Sequence, residues 1–176
     1  MEFHIGQVFQ GVYPPEAADW CNSTQRAYIV ERDAVDGERQ FEIVAVPEPT
    51  LEELKIAKKA QIDAETSAAI LSGFDYAVDG VTYYFSYDAF DQQNFADTAN
   101  VCLMKQSGMP GLPDSVMWNA YTVPDNELER LTFDASGFLA LYAGGAMKHK
   151  NETMQRGGER KAAVEAATTP EEVEAA

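Results

Sequence analysis

Hydrophobic and polar residues alternate most regularly between residues 74 and 95, FDYAVDGVTYYFSYDAFDQQNF. Asp79-Gly80 is a turn pair that accepts positive φ at both centres, so the flanking strands are predicted to pair as Val78 with Val81, Tyr76 with Tyr83 and Phe74 with Phe85. These six side chains then share one face. Asp75, Ala77, Thr82 and Tyr84 share the other, so one side suits a core and the other tolerates water.

The patterning on either side divides the chain. Residues 1–46 read as a small β-rich module: a strand from His4 to Phe9, a short helix opened by Pro14-Pro15, then strands from Ala27 to Arg32 and Gln40 to Val46 around the turn-prone DAVDGE. A tight turn at Asp36-Gly37 would set Glu31 opposite Glu42, a like-charge pair that costs stability. Pro47-Glu48-Pro49 holds the backbone extended and marks a linker at 47–49. Thr50 and Glu53 have the spacing of a capping box, and the helix they open is predicted to end at Gly73. It is alanine-rich, with apolar residues too scattered for a sustained heptad.

Beyond the hairpin, Asp88 is placed to cap a helix from Ala89 to Gln106, with Asp91 in its first turn. Val116–Val123 and Glu127–Phe133 read as a second hairpin around Pro124-Asp125-Asn126, followed by a helix from near Asp134 to Ala167. Its Gly144-Gly145 and Gly157-Gly158 pairs mark kinks or close packing, and Thr169-Pro170 opens a last short turn expected to fray. The expected fold is α+β: the β-rich module followed, over residues 50–176, by a helix-hairpin-helix-hairpin-helix domain.

Composition narrows the function classes. With 29 acidic against 13 basic side chains the formal charge is −16, which disfavours nucleic-acid phosphates and anionic membranes as partners. No apolar run approaches the ~18 residues that span a bilayer, and no basic-then-apolar leader is visible, so a cytoplasmic start is expected. Cys21 and Cys102 stand far apart without a CxxC spacing, which suggests buried thiols rather than a disulfide or zinc framework.

Chemistry is hard to assemble from these residues. His4 and His149 are the only histidines, neither has a ligand partner at helical or strand spacing, and both are expected at the surface. Asp63 with Glu65 and Asp88 with Asp91 fit no calcium loop, and capping accounts for the second pair. No nucleophile elbow or phosphate loop is present. No catalytic, cofactor-binding or metal-binding residue is therefore expected. Aromatic side chains are the remaining resource: Tyr84 and Tyr87 are expected as exposed anchors on the first hairpin, with Trp118 and Tyr121 as candidates on the second.

Several segments together resemble a known family. The helix KKAQIDAETSAAILSGFDY, the VDGVTYYFS hairpin, the DQQNFADTAN helix start, Trp118 with LTFDASGF after it, and the ending KAAVEAATTPEEVEAA are similar to a phage domain of unknown function. That domain occurs in small proteins encoded beside tail-fibre genes, some of them tail-fibre assembly proteins. IGQVFQGVYPPEAADWCN, residues 5–22, resembles the opening of small tail-associated proteins of phages and prophages. The resemblance implies a non-enzymatic protein that contacts a tail-fibre or baseplate protein, either as an assembly chaperone in the host cytoplasm or as a fixed part of the virion tail. It leaves homo-oligomerisation open and carries over no catalytic residue. The loop GMPGLPDSVM is more proline-rich than the family pattern, which makes Pro110 and Leu112 candidates for a partner-specific contact.

Two other readings compete. The charge would suit an acidic decoy that occupies the nucleic-acid groove of a basic host or defence protein. Tyrosines near acids suggest an enzyme acting on cell-surface glycans, which would need two facing carboxylates in a cleft.

Overall fold

Val35 and Glu38 close a tight turn at Asp36-Gly37, yet Glu31 does not meet Glu42. The computed structural model, which describes residues 2–176, shows why. Asp33 and Ala34 together oppose the single residue Arg39, a bulge that slips the register by one, so Glu31 lies opposite Phe41 and Glu42 opposite Val30. The slip sends the two glutamates to opposite faces. Glu31 now binds Arg39 at 2.7 Å, and Glu42 binds Arg32 at 2.8 Å. The like-charge clash is replaced by two exposed ion pairs, and the Arg39 guanidinium also lies over the Phe41 ring at 4.9 Å.

This bulged hairpin belongs to the first of two units, Met1–Thr50 and Leu51–Ala176. Its strands are β1 (Val8–Gln10), β2 (Ala27–Val35) and β3 (Glu38–Ala45), antiparallel in the order β1-β3-β2, with helix α1 (Pro15–Thr24) packed on β2. Pro15 occupies the first turn of α1, where its missing N–H costs nothing. The core gathers Phe3, Ala17, Cys21, Ala27 and Ile43. The first strand is shorter than predicted, because a turn in which Gln7 N donates to the His4 carbonyl occupies the residues before Val8.

The second unit contains, in order, α2 (Leu51–Leu71), β4 (Phe74–Val78), β5 (Val81–Phe85), α3 (Ala89–Gln106), β6 (Ser115–Thr122), β7 (Leu128–Asp134), α4 (Ala135–Leu141), a π-helical segment (Tyr142–Met147), α5 (Lys148–Ala166) and α6 (Pro170–Ala175). The chain is thus mixed α and β, with two sheets. In the β4–β5 hairpin Phe74 pairs with Phe85, Tyr76 with Tyr83 and Val78 with Val81, and Asp79 and Gly80 both have positive φ. The two hairpins share one antiparallel sheet, β4-β5-β6-β7.

One face of that sheet is covered. Phe74, Phe85, Ala120 and Phe133 pack with Phe95, Ala99 and Cys102 of α3, Phe138 and Leu141 of α4, and Ala146. Asp88 caps α3 by accepting from the amides of Phe90 and Asp91, and Asp134 caps α4 by accepting from Gly137. The helix after β7 is not uniform. Its π-helical turns bring Gly144 and Gly145 against Tyr76 and Phe74, and a Cβ on Gly145 would stand 2.5 Å from the Phe74 ring.

A second layer joins α2, α5 and α6. Contacts run from Lys55–Glu165 through Asp63–Lys161 to Ile70–His149, so α2 and α5 are antiparallel. Ile62, Val164, Ala167 and Val173 form their core. The final turn, expected to fray, is instead docked: Val173 is buried, Thr169 caps α6, and Lys58 donates to the Glu174 carbonyl at 2.7 Å. His149, expected at the surface, is half-buried. Its ring stacks 5.8 Å from Phe74 and lies edge-on to Tyr87, with a nitrogen 3.1 Å from the Ile70 carbonyl. The inward face of α5 is set by its packing on α2 and β4, which α5's own sequence does not encode.

Candidate functional site

The helices cover one side of the four-stranded sheet and leave the other bare. By strand alternation that other face carries Asp75 and Ala77 of β4, Thr82 and Tyr84 of β5, Met117, Asn119 and Tyr121 of β6, and Leu128, Arg130 and Thr132 of β7. Tyr84 and Tyr121 are half-buried and the other eight are exposed. Met117 is 71% exposed and Leu128 52%, so large apolar side chains stand in water on this face of the sheet.

Tyr84 and Tyr121 form the centre of this face, opposite one another with ring centroids 6.0 Å apart. The Tyr84 hydroxyl donates to the Ser72 carbonyl at 2.8 Å, which fixes the ring. Gly73 beside it has φ of 81°, and a Cβ there would meet the Phe85 carbonyl oxygen at 2.4 Å, so only glycine lets α2 turn so closely into β4. Burial raises the Tyr84 phenol above its ordinary value, helped by Asp91, Tyr121 and Asp75. Burial thus favours the neutral phenol, which donates to the Ser72 carbonyl.

Beside Tyr121 the sheet opens into a groove. β5 pairs with β6 only at Tyr83–Thr122 and Tyr84–Tyr121, then leaves the sheet after Phe85. The space between β6 and α3, about 310 Å³, is lined by Ser86, Asp91, Asn94, Thr98, Met117, Trp118, Asn119 and Tyr121. Ser86 donates to Asp91 at 2.6 Å, so the walls are mainly polar and hold one carboxylate.

The six residues expected to contact a partner are distributed unevenly. Tyr84, Trp118 and Tyr121 come together at this face and groove. Trp118 is chiefly a core residue, with Phe95 at 4.4 Å and Phe138 at 5.0 Å, and only borders the groove. Tyr87 is a correction: expected as an exposed anchor, it is 2% exposed and packs on Phe74, Phe95 and His149. Residue 87 keeps the parity of the core-facing Tyr83 and Phe85, so a period of two already points Tyr87 inward, and the aromatic cluster of Phe74 and Phe95 receives it. Pro110 is exposed and Leu112 half-buried in the loop between α3 and β6, apart from the groove lining; the Leu112 carbonyl and Asp114 both accept from Lys105. Met117, Asn119 and Leu128 share the face but are not aromatic, and for the first two the alternation of β6 is the sequence signal that groups them with Tyr121.

Other chemistry is sparse among the described residues. No group of three or more His, Cys, Asp or Glu is placed to hold a metal ion, and no helix is long and apolar enough to cross a membrane. Cys21 and Cys102 are buried free thiols whose pKa values are pushed up by burial, which makes both weak nucleophiles.

Neither a curated protein nor a solved structure matches the chain. A family model does match, over residues 53–176, which takes in nearly all of the second unit and the sheet face just described. The chain belongs to the family described as "Domain of unknown function (DUF4376)".

Proposed function

We propose that this chain is a non-enzymatic phage tail protein that acts through protein–protein contacts beside the tail fibre or baseplate. It serves as a fibre assembly factor in the host cytoplasm or as a fixed part of the tail. The observation that carries a contact role is the bare sheet face, where Met117 and Leu128 flank the Tyr84–Tyr121 pair. A soluble monomer gains nothing by holding such side chains in water, whereas a partner that covers them gains apolar burial. The phage setting rests on the sequence resemblance of residues 5–22 and 50–176.

On this reading the second unit is a helix-hairpin-helix-hairpin-helix domain, preceded by a small β-rich module, whose hairpins merge into one docking surface. Folding trimeric fibres expose β edges and apolar patches, and a partner that covers them suppresses aggregation. The test is copurification of the tagged full chain with fibre and baseplate proteins from the same gene cluster, together with mass spectrometry of purified particles and of infected-cell lysate. Binding to a fibre or baseplate protein supports the proposal, and presence or absence in particles separates fixed component from assembly factor. Failure to bind any of those proteins overturns it.

A further inference from the structure

The groove beside β6 is also an unfinished sheet edge. Thr122 directs its N–H and C=O toward the β7 side, donating to the Glu127 carbonyl and accepting from Asn126. Backbone groups alternate along a strand, so those of Asn119 and Met117 point the opposite way, toward the groove. Among the described residues no strand pairs with β6 there, because the last β5 partner is Tyr84. The position that a continued β5 would fill is left to the groove.

Charge is divided unevenly in the same unit. Residues 74–134 hold ten Asp and Glu against two bases, Lys105 and Arg130, and Lys105 is held by Asp114 at 2.7 Å. The helical remainder, 51–73 and 135–176, holds ten acids and eight bases. The sheet and α3 therefore carry most of the unit's negative charge, and Asp91 places one carboxylate in the groove itself. A second copy of this chain would bring the same negative field to this edge and be repelled.

We propose that the groove takes an extended, lysine- or arginine-bearing segment of a partner polypeptide, added as a short strand to the free edge of β6. Main-chain hydrogen bonds to Met117 and Asn119 hold the segment, Asp91 pairs with its basic side chain, and Asn94 and Tyr121 border it. This deepens the contact role proposed above by naming the class of segment bound, and it rests on that reading.

The test uses the full-length chain and synthetic peptides of about ten residues. One alternates Lys with Val, one replaces Lys with Glu, and one is the Lys peptide N-methylated at alternate amides. Hydrogen exchange read residue by residue should slow about tenfold or more at Met117 and Asn119 with the Lys peptide alone. Binding should weaken severalfold in D91N and on raising salt to about 0.5 M, while D97N, on the exposed side of α3, should bind as the wild type does. Unchanged exchange at both amides with the Lys peptide at millimolar concentration overturns the inference. Equal binding of the N-methylated peptide, or protection confined to other parts of the acidic surface, also overturns it. If the fibre copurifies but these amides are unaffected, the groove assignment fails and the contact role survives; protection by the Lys peptide without any fibre or baseplate binding separates them in the other direction.

Discussion

Lys55, nine-tenths buried on α2, donates to the main-chain carbonyl of Glu165 in the last turn of α5, 3.0 Å away. That carbonyl is one of the four a helix cannot satisfy internally, and a cation there also complements the negative end of the helix dipole. Lys55→Met keeps the apolar stem and removes the donor. It should destabilise the protein by about 1–2 kcal/mol, the cost of losing a part-buried, charge-assisted hydrogen bond. Urea unfolding should show the midpoint falling with the m-value unchanged, and an unaltered midpoint would mean that water replaces the ammonium without loss.

Two adjacent glycines in α5 should respond with opposite signs. A Cβ on Gly157 would stand 2.4 Å from Thr66 Oγ1 and 3.1 Å from its methyl carbon, whereas nothing lies within 4 Å of one on Gly158. Gly157→Ala should cost about 1–3 kcal/mol, since β-branched Thr66 has few rotamers in a helix with which to give way. Gly158→Ala should instead stabilise by about 0.4–1 kcal/mol through the entropy of the unfolded chain. Adding Thr66→Ala should recover much of the Gly157→Ala loss, and thermal melts of the three variants beside the wild type decide it.

Acid should loosen the helical layer. Hydrogen bonds from Arg160 and Gln61 hold Glu65 below its ordinary value of 4.5, Lys59 does the same for Glu165, and the Thr168 backbone and hydroxyl do so for Glu172. A carboxylate whose folded pKa is lowered contributes stability that is fully present above 4.5 and is lost as pH falls through the folded value. Protonation also relieves repulsion within a chain of charge −16, which acts the other way. The triple variant Glu65→Gln, Glu165→Gln, Glu172→Gln isolates the first effect: its stability between about pH 5 and pH 3 should fall less steeply than the wild type's. Parallel curves would show that these contacts add nothing.

The bare face should be separable from the fold. Met117→Glu with Leu128→Glu alters two exposed side chains and should shift stability by no more than about 0.5 kcal/mol each. The same pair should abolish copurification with a fibre or baseplate partner. Retained binding by a stably folded double variant would place the contact elsewhere, with Pro110 and Leu112 the next residues to replace.

Much of this architecture could be read along the chain because local signals agreed with one another. The β4–β5 register follows from a period of two on both sides of Asp79-Gly80, and the start of α3 follows from Asp88. What escaped depends on distant neighbours. The bulge at Asp33-Ala34 reflects charges on the facing strand. Val173 is buried because Ile62 and Val164 meet it, and His149 turns inward because Phe74 and Tyr87 are there. Tyr84 and Tyr121 were found from their chemistry, but Met117 and Asn119 become interesting only once β5 is seen to leave β6 halfway.

The uneven division of charge within the second unit has a kinetic consequence. A domain with an acidic sheet and nearly balanced helices has a lopsided field, which turns it during diffusion before any contact forms. An approaching cationic surface would meet the sheet first, in the orientation that docking needs. Association should then be fast in dilute buffer and slow steeply as salt is added, while the lifetime of the finished complex changes far less.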